Sequence, residues 1–569
     1  MEPIIKFEDF SFRYDSQAEP TLHNLNLEIH AHEKILVLGP SGSGKSTFGK
    51  CLNGLIPQAY PGEIKGHLSI HGKNIFDQSI GDLSHQVGTV LQDTSAQFVG
   101  LTVAEDVAFS LENDQMSNQE MHEIVEEWQR KLHLSSLSQH SPQDLSGGQK
   151  QRVSMAGVLI DSPDILLFDE PLANLDPASG YETMRLIDQL HHDLGTTIII
   201  IEHRLEEVLS QKVDRILVFD QGKIIYDGNP QSLLKSNLLR KIGIRVPLYV
   251  SALSYAGVDL DSIADLDQLS KLDYQAFADK LLSWNQSLNY PATESAQEVL
   301  LSLREIEFTY PFRQEPALQD INLDLMKGQM VSIVGSNGAG KTSLAKLLAG
   351  FLFPDKGQII WQGRDITKSS ILQRAQDIGY VMQDPNQMIS QHLIFDEVAL
   401  GLRLRGVDEE TVKGKVYQSL KVCGLYPFRD WPINALSFGQ KKRVTIAAIL
   451  VLNPTLLILD EPTAGQDFKH YREFMDFMTA LNQEGMTILM ITHDLQLMLE
   501  YTKRTLVMTQ GRVIADLTPY EVLSSQELTE QASLRLTSLY QLAQKVGMKQ
   551  PSQFIENFIR YEGEVMAHE

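Results

Sequence analysis

The spacing of apolar and polar residues predicts strands that alternate with helices, in two stretches of similar order. Each stretch begins with a β-rich segment, at residues 4–27 and 301–325. The other predicted elements are short apolar strands at 35–38, 165–168, 197–201, 331–334, 456–459 and 488–491, and helices around 120–131 and 409–422. This alternation predicts a largely parallel α/β core with a β-rich edge.

Several motifs occur twice in the same order, which indicates a tandem duplication. The glycine-rich loop at 39–46 recurs at 335–342, and four later pairs lie 290 or 291 positions apart: Gln92 and Gln383, Ser146 and Ser437, Asp169 and Asp460, His203 and His493. We therefore predict a first domain at 1–240, a helical appendage and linker at 241–299, a second domain at 300–530 and a helical tail at 531–569. The linker is expected to end near Asn289–Glu294.

Composition and charge exclude several classes of protein. The chain has 569 residues, of which 43% are hydrophobic and 21% charged, a balance typical of globular proteins. Its formal charge of −24 argues against nucleic acid as the main partner, because phosphate backbones are repelled by an acidic surface. Cys51 and Cys423 cannot form a disulfide framework, which fits a reducing cytosol. No signal peptide and no apolar run of about 18–20 residues is visible, so a membrane role would need a separate spanning protein.

Each glycine-rich loop matches the pattern G-x-x-x-x-G-K-[ST] and lies between an apolar strand and a predicted helix. Such loops wrap phosphates with backbone N–H groups, and their lysine reaches the β- and γ-phosphates. A plain glycine-rich turn is the alternative, and two copies in register argue against it. The predicted ATP contacts are Gly39, Pro40, Ser41, Gly42, Ser43, Gly44, Lys45, Ser46 and Thr47, and then Gly335, Ser336, Asn337, Gly338, Ala339, Gly340, Lys341, Thr342 and Ser343.

Two adjacent carboxylates end an apolar strand in each half, at Asp169-Glu170 and Asp460-Glu461. We expect Mg²⁺ to bind near the aspartates together with the hydroxyls of Ser46 and Thr342. The glutamates suit a general-base or water-positioning role.

A Ser-Gly-Gly-Gln segment follows the first loop and a Ser-Phe-Gly-Gln segment follows the second, and taken alone the Ser-Gly-Gly sequence would be interpreted as a helix N-cap and turn. Between a nucleotide loop and an Asp-Glu strand it resembles the signature of the ATP-binding-cassette (ABC) family. Nearly all of residues 1–240 and 300–530 share this resemblance, which implies two tandem P-loop ATPase domains with RecA-like parallel-sheet cores, β-rich edges and helical signature subdomains. The signature residues, also predicted ATP contacts, are Ser146, Gly147, Gly148 and Gln149, and then Ser437, Gly439 and Gln440.

The resemblance implies roles for residues that their spacing alone would not identify. Gln92 and Gln383 resemble the Q-loop glutamine, which contacts Mg²⁺ and faces the membrane partner, and Asp176 and Asp467 resemble the D-loop. The other implied residues are the γ-phosphate histidines His203 and His493 and the adenine-stacking aromatics Tyr14 and Tyr310. Packing within the strand remains an alternative role for the two tyrosines.

The family resemblance also implies that the two halves form an intramolecular head-to-tail dimer. One ATP would lie between Lys45 and the signature beginning at Ser437, and the other between Lys341 and the signature beginning at Ser146. Phe438 departs from the usual signature glycine. Because Glu170 and Glu461 are both present, we expect both sites to hydrolyse ATP.

The segments Asp93–Val99 and Asp384–Ile389, after the two Q-loop glutamines, resemble those of energy-coupling-factor (ECF) importers. Residues 436–443, which include Phe438, are also typical of that branch. The resemblance implies a peripheral ATPase on the cytoplasmic face of the cell membrane. Its partners would be a transmembrane coupling protein and a substrate-binding membrane protein, and its cargo a vitamin, a vitamin precursor such as hydroxymethylpyrimidine or thiamine, or a metal ion such as cobalt.

The alternative is a soluble tandem ABC ATPase that acts on the ribosome or on nucleic acid. The joining segment 259–298 is acidic and carries only Lys271 and Lys280 as basic residues, whereas RNA binding favours clustered Lys and Arg. A DNA-repair ATPase would be expected to carry zinc-ligand cysteines. The cargo itself cannot be inferred, because this family places its recognition in another polypeptide.

Overall fold

A computed structural model describes residues 2–173, 175–288, 290, 298–311, 314–463 and 468–568. The chain divides into two compact units, Met1–Trp284 with Asp467–Lys469, and Asn285–Gln466 with His470–Glu569. Most of the expected linker end at Asn289–Glu294 lies outside the described residues. The four domain boundaries drawn from the sequence stay a prediction.

The first half contains two sheets. Its strands are β1 Ile5–Tyr14, β2 Leu22–Ile29, β3 Lys34–Leu38, β4 Gly62–Ile70, β5 Lys73–Asn74, β6 Val87–Val90, β7 Ile165–Asp169, β8 Thr197–Ile201, β9 Arg215–Asp220 and β10 Lys223–Gly228. The order β2-β1-β4-β5 forms an antiparallel sheet. The order β10-β9-β3-β8-β7-β6 forms a second sheet, which is parallel except for the edge strand β10.

Helices connect these strands and cover the sheets. They are α1 Lys45–Leu52, α2 Leu55–Gln58, α3 Ile80–Ser84, α4 Val103–Asn113, α5 Asn118–Lys131, α6 Gly147–Leu159, α7 Pro177–Leu194, α8 Leu205–Val208, α9 Pro230–Lys235, α10 Leu238–Lys241, α11 Leu248–Tyr255 and α12 Ala278–Ser287. Side chains of both sheets and of α1 share one core, in which the rings of Phe7 and Phe48 stack 5.3 Å apart. This core holds the start of α1 against the end of β3, where the first glycine loop lies.

The second half repeats this arrangement. Its strands are β11 Val299–Phe308, β12 Leu318–Met326, β13 Met330–Gly335, β14 Lys356–Trp361, β15 Arg364–Asp365, β16 Ile378–Val381, β17 Leu456–Asp460, β18 Thr487–Ile491, β19 Arg504–Thr509 and β20 Arg512–Leu517. The sheet order is β12-β11-β14-β15 and β16-β17-β18-β13-β19-β20. The predicted α/β fold, with a parallel core and a β-rich edge, is confirmed in both halves.

The helices of the second half extend into a tail that packs on the same unit. They are α13 Lys341–Ala349, α14 Ile371–Arg374, α15 Ile394–Leu404, α16 Glu409–Val422, α17 Phe438–Leu450, α18 Phe468–Gln483, α19 Leu495–Tyr501, α20 Pro519–Val522, α21 Gln526–Gln531, α22 Ser538–Lys545 and α23 Pro551–His568. Phe554 and Phe558 of α23 are fully buried, so the tail contributes to the core of its unit.

Both cysteines are buried and free. Burial raises the pKa of the Cys423 thiol to about 12 and also raises that of Cys51. Among the described helices, none has the length and hydropathy needed to cross a bilayer.

Candidate functional site

Each glycine loop connects a buried strand to a helix, as its motif predicts. Lys45 begins α1, and its ammonium donates to the carbonyls of Gly39 and Pro40 at 2.7 and 2.9 Å. Lys341 begins α13 and donates to the carbonyls of Gly335 and Ser336 at 2.8 and 2.9 Å. The two loops therefore fold in the same way around their lysines, and N–H groups at the N-terminus of the following helix point into each loop.

The first glycine of each loop is required by close packing of the backbone. A Cβ on Gly39 would lie 2.4 Å from the carbonyl oxygen of Phe219, and one on Gly335 would lie 2.0 Å from that of Met508. Both residues also have positive φ, 155° and 146°. No other residue type fits these positions, because the loop passes directly against the neighbouring strand.

The adjacent carboxylates lie at the ends of β7 and β17, beside the loops. Glu170 and Glu461 follow these strands with φ of 50° and 47°, the left-handed region that non-glycine residues rarely adopt. Their N–H groups donate to the carbonyls of Ile201 and Ile491 at 2.8 and 3.0 Å. Both glutamates are thus held in a sparsely populated conformation by the surrounding sheet, a feature that is common at functional sites.

In the first half, three predicted site residues meet at one carboxylate. His203 Nε2 lies 3.1 Å from Glu170 Oε1, and Gln92 Nε2 donates to Glu170 Oε2 at 2.6 Å. Burial raises the pKa of Glu170, but the hydrogen bond and charge of His203, followed by the charge of Lys45, outweigh it, so the net shift is downward. Glu170 is therefore ionised at neutral pH and can accept a proton or orient a water molecule.

In the second half the matching glutamate has weaker partners. His493 Nε2 lies 3.5 Å from Glu461 Oε1, and the His493 N–H donates to Oε2 at 3.3 Å. Burial raises the pKa of Glu461 to about 7, and the charge of Asp460 adds to this, whereas the charge of Lys341 opposes it. The equivalent glutamates of the two halves, Glu170 and Glu461, therefore differ in their protonation equilibria.

Gln383, which corresponds to Gln92 in the repeat, is exposed just beyond β16.

Of the aspartates predicted to lie near Mg²⁺, Asp460 is buried at the end of β17 and Asp169 is partly buried at the end of β7. Burial raises the pKa of Asp169 to about 6, and the charge of Glu170 adds to this. Burial also raises the pKa of Asp460, which accepts from Tyr380 at 3.1 Å and is hydrogen-bonded by the Thr342 side chain. Carboxylates and hydroxyl groups, such as those of Asp460 and Thr342, are the oxygen donors that Mg²⁺ prefers, and a cation there would offset the cost of burying charge. The residues present fit the ion.

Both signature segments begin a helix with a reciprocal capping box. Ser146 accepts from the Gln149 N–H at 3.4 Å and Ser437 accepts from the Gln440 N–H at 3.3 Å, while each glutamine side chain accepts from the serine N–H. Gly147 and Phe438 occupy the first helical position, and the Phe438 side chain is 45% exposed. Phe438 therefore leaves the helix start unchanged and only adds an exposed ring.

Of the remaining predicted site residues, some lie beside a glycine loop, one caps a helix and others lie outside the described residues. The hydroxyls of Tyr14 and Tyr310 lie 3.1 Å from Thr47 Oγ1 and Ser343 Oγ, so each ring is tied to the helix that follows its glycine loop. The same rings pack edge-on against Phe12 and Phe308, as the alternative of strand packing predicts. Asp176 caps α7 by accepting from the Ser179 N–H at 2.9 Å, whereas Asn174 and Asp467 of the two D-loops lie outside the described residues.

Two buried charged residues at the site did not follow from the motifs. Glu202, which is 3% exposed, accepts from the N–H groups of Leu172 and His203 at 3.1 and 2.7 Å. Lys442, which is 1% exposed, donates from its ammonium to the carbonyl oxygen of Glu461. Burial lowers the pKa of Lys442 to about 8, although the nearby carboxylates raise it. Lys442 stands between Lys441 and Arg443 in α17, so its charge does not distinguish it from its neighbours in the sequence.

Comparison with known proteins agrees with this geometry. A family model described as "ABC transporter" matches residues 22–173 and 318–464, and one described as "ATP-binding cassette cobalt transporter" matches 236–308. Proteins from Enterococcus faecalis and Lactobacillus johnsonii, each named "Putative ABC transporter ATP-binding protein", are both 55% identical over 99% of this chain and cover 99% and 98% of their own lengths. A relative of the same description from Lactiplantibacillus plantarum is 53% identical over 99% of both chains.

Solved structures cover one half of the chain at a time. CbiO1 from Clostridium perfringens, described as part of the ABC transporter complex CbiONQ, is 34% identical to this chain. The match covers 44% of this chain and 100% of CbiO1, with a TM-score of 0.39. The family assignment rests on the sequence relatives and on the family models. By these matches and by its duplicated nucleotide loops, the chain belongs to the ABC transporter family of ATP-binding proteins and is an ATPase.

Proposed function

We propose that this protein is the ATP-hydrolysing subunit of an ECF-type importer that takes up a vitamin, a vitamin precursor or a metal ion. The observation that carries the proposal is the match of residues 236–308 to a family described as an ATP-binding cassette cobalt transporter. This segment lies between the two stretches, 22–173 and 318–464, that match the general ABC transporter model. The alternative, a soluble ATPase acting on the ribosome or on nucleic acid, has no comparable support, because the joining segment is acidic.

The segments after Gln92 and Gln383 support a coupling role. The Lys150 ammonium on α6 donates to Ser95 Oγ at 3.4 Å, and that of Lys441 on α17 donates to Asn386 Oδ1 at 3.3 Å. A displacement of either segment would therefore shift the start of the signature helix in the same half. Such contacts suit an ATPase whose Q-loop segments face helices of a separate integral membrane subunit.

Exposed apolar side chains that follow these segments in the chain support the same function. Leu101 is 82% exposed just after the first segment, and Leu404, at the C-terminal end of the helix α15 that follows the second segment, is 79% exposed. Large apolar side chains left in water often mark a docking surface for another protein. We therefore propose that the membrane partners dock near Leu101 in the first half and near Leu404 in the second.

In the proposed mechanism the chain positions its reactants and supplies charge rather than a covalent intermediate. Lys45 and Lys341 hold the phosphates, the signature serines of the opposite half complete each site, and Glu170 and Glu461 orient the attacking water. His203 and His493 hold those glutamates in place. Bound at Ser46 with Asp169, or at Thr342 with Asp460, Mg²⁺ would neutralise phosphate charge. The head-to-tail pairing and these roles stay predictions.

Affinity purification of the full chain from membranes in mild detergent tests the function. We expect small integral membrane proteins to co-purify, and we expect the pair Leu101→Asp and Leu404→Asp to lose them because a charge cannot enter an apolar interface cheaply. The matched control is Leu194→Asp with Leu517→Asp, since these leucines are also exposed, at 41% and 37%, but lie away from the Q-loop segments. Recovery of ribosomes alone would refute the importer.

A further inference from the structure

The two halves differ at one buried position near the backbone of the proposed catalytic glutamate. Lys442 in α17 corresponds to Gln151 in α6, because 291 residues separate both this pair and the pair Glu461 and Glu170. Both side chains are buried, at 1% and 4% exposure. Within the described residues, Gln151 Nε2 has no hydrogen-bond partner, whereas the Lys442 ammonium donates to the carbonyl oxygen of Glu461.

That carbonyl belongs to a residue in an unfavourable backbone conformation. Glu461 has a φ of 47°, so its peptide stays in place only because neighbouring groups hold it. In the first half, the carbonyl of Glu170 accepts from the Ala173 N–H at 3.0 Å, a bond within the same loop. In the second half the ammonium of Lys442 supplies a bond from a different element, the signature helix α17. The orientation of Glu461 therefore depends on where α17 lies.

The residues on either side of Lys442 connect α17 to two further elements. Lys441 donates to Asn386 Oδ1 at 3.3 Å, in the segment that follows Gln383. Arg443 forms an ion pair with Glu473 on α18 at 2.8 Å. Three consecutive basic side chains thus bind the Q-loop segment, the end of β17 and α18, and Lys442 is the one that reaches the catalytic residue.

We infer that Lys442 is a positioning residue that links the second half's signature serine, Ser437, to its catalytic glutamate, Glu461. Ser437 caps the helix that carries Lys442, and about 7 Å of rigid helix separates the two residues. The inference rests on the proposed function, in which Ser437 contacts the ATP held by Lys45. ATP binding at the Lys45 site would set the position of α17. Lys442 would then pass a change in that position to the peptide of Glu461, which belongs to the Lys341 site. Gln151 gives the first half no equivalent link.

The test is the substitution Lys442→Met in the full chain, which keeps the length of the side chain and removes the ammonium. With the first site disabled by Glu170→Gln, we expect the remaining kcat for ATP hydrolysis to fall about tenfold, because a displaced water-positioning group lowers the rate of the chemical step. We expect KM to change less than twofold, since Lys442 does not contact the nucleotide. The matched control Gln151→Met, measured with the second site disabled by Glu461→Gln, should change kcat less than twofold, because Gln151 makes no bond to Glu170.

Three results would overturn the inference: an unchanged kcat, a raised KM with unchanged kcat, or an equal loss in Gln151→Met. Lys442→Met added to Glu461→Gln should cause no further loss of turnover, because the residue it positions has already been disabled. A further loss would show that Lys442 acts elsewhere. If Glu461→Gln alone leaves turnover unchanged while Lys442→Met lowers it, the proposed catalytic role of Glu461 fails, and the link fails with it. If Glu461→Gln lowers turnover and Lys442→Met does not, only the link fails.

Discussion

Replacement of both Glu170 and Glu461 by glutamine is expected to lower ATP turnover at least a hundredfold. Glutamine keeps the size of the side chain but cannot accept a proton, and a positioned general base contributes about 10²–10⁴-fold to rate. The carboxylates lie at the strand ends beside Lys45 and Lys341, where the γ-phosphate is predicted to bind. Steady-state phosphate release from the full chain, with saturating MgATP, measures the effect.

The single substitutions show whether both sites are catalytic. Each is expected to lower turnover, while Glu182→Gln, an exposed carboxylate on α7, should change nothing. Equilibrium binding of ATP should stay within a few-fold in every variant, because the lysines and loop amides remain. If either single variant turns over ATP at the wild-type rate, its site does not hydrolyse, and the chain has one working site.

Glu461→Gln should also stabilise the nucleotide-free protein at alkaline pH. Burial raises the pKa of Glu461 to about 7 from its ordinary 4.5, so the folded state binds this proton more tightly than the unfolded state does. The stability that the protonated group contributes is complete below pH 4.5 and is lost as pH rises through 7. At pH 8 the raised pKa of Glu461 lowers the free energy of unfolding by roughly 3 kcal/mol, a cost that glutamine avoids. At pH 5.5 this cost is about half as large. Thermal unfolding should show a Tm increase that is larger at pH 8.

The matched substitution in the first half should have the opposite sign. The net pKa shift of Glu170 is downward, because the hydrogen bond and charge of His203 outweigh its burial. Its stabilising contribution is present above its unfolded pKa and is lost as pH falls through the folded value. Glu170→Gln should therefore lower Tm at pH 8. An equal Tm response of the two variants at both pH values would contradict the difference between the halves.

The sequence predicted those features that depend on neighbours along the chain. The glycine loops, the strands that precede Glu170 and Glu461, and the helix starts at Ser146 and Ser437 are local patterns, so the repeat identified them twice. The ABC resemblance also predicted that Gln92 and His203 belong to the same site, and the structure brings both to Glu170.

The differences between the halves were not predictable in this way, because they depend on contacts distant in sequence and on burial. The sequence shows Lys442 as one of three basic residues on a helix, and nothing local indicates that its ammonium reaches the carbonyl of Glu461. Likewise, the pKa values of Glu170 and Glu461 diverge because burial dominates at Glu461, whereas at Glu170 the hydrogen bond and charge of the nearer His203 outweigh burial. Identical motifs therefore do not imply equivalent chemistry.

The burial of Cys51 and Cys423 has a practical consequence for measuring how the two halves move. Both thiols are shielded from solvent and remain protonated near neutral pH, whereas maleimides react with an accessible thiolate. A cysteine added to the surface of each half would thus be labelled first, without removal of the native pair. Spin or fluorophore distances between the two labels can then test whether the halves close during ATP turnover in an otherwise unaltered protein.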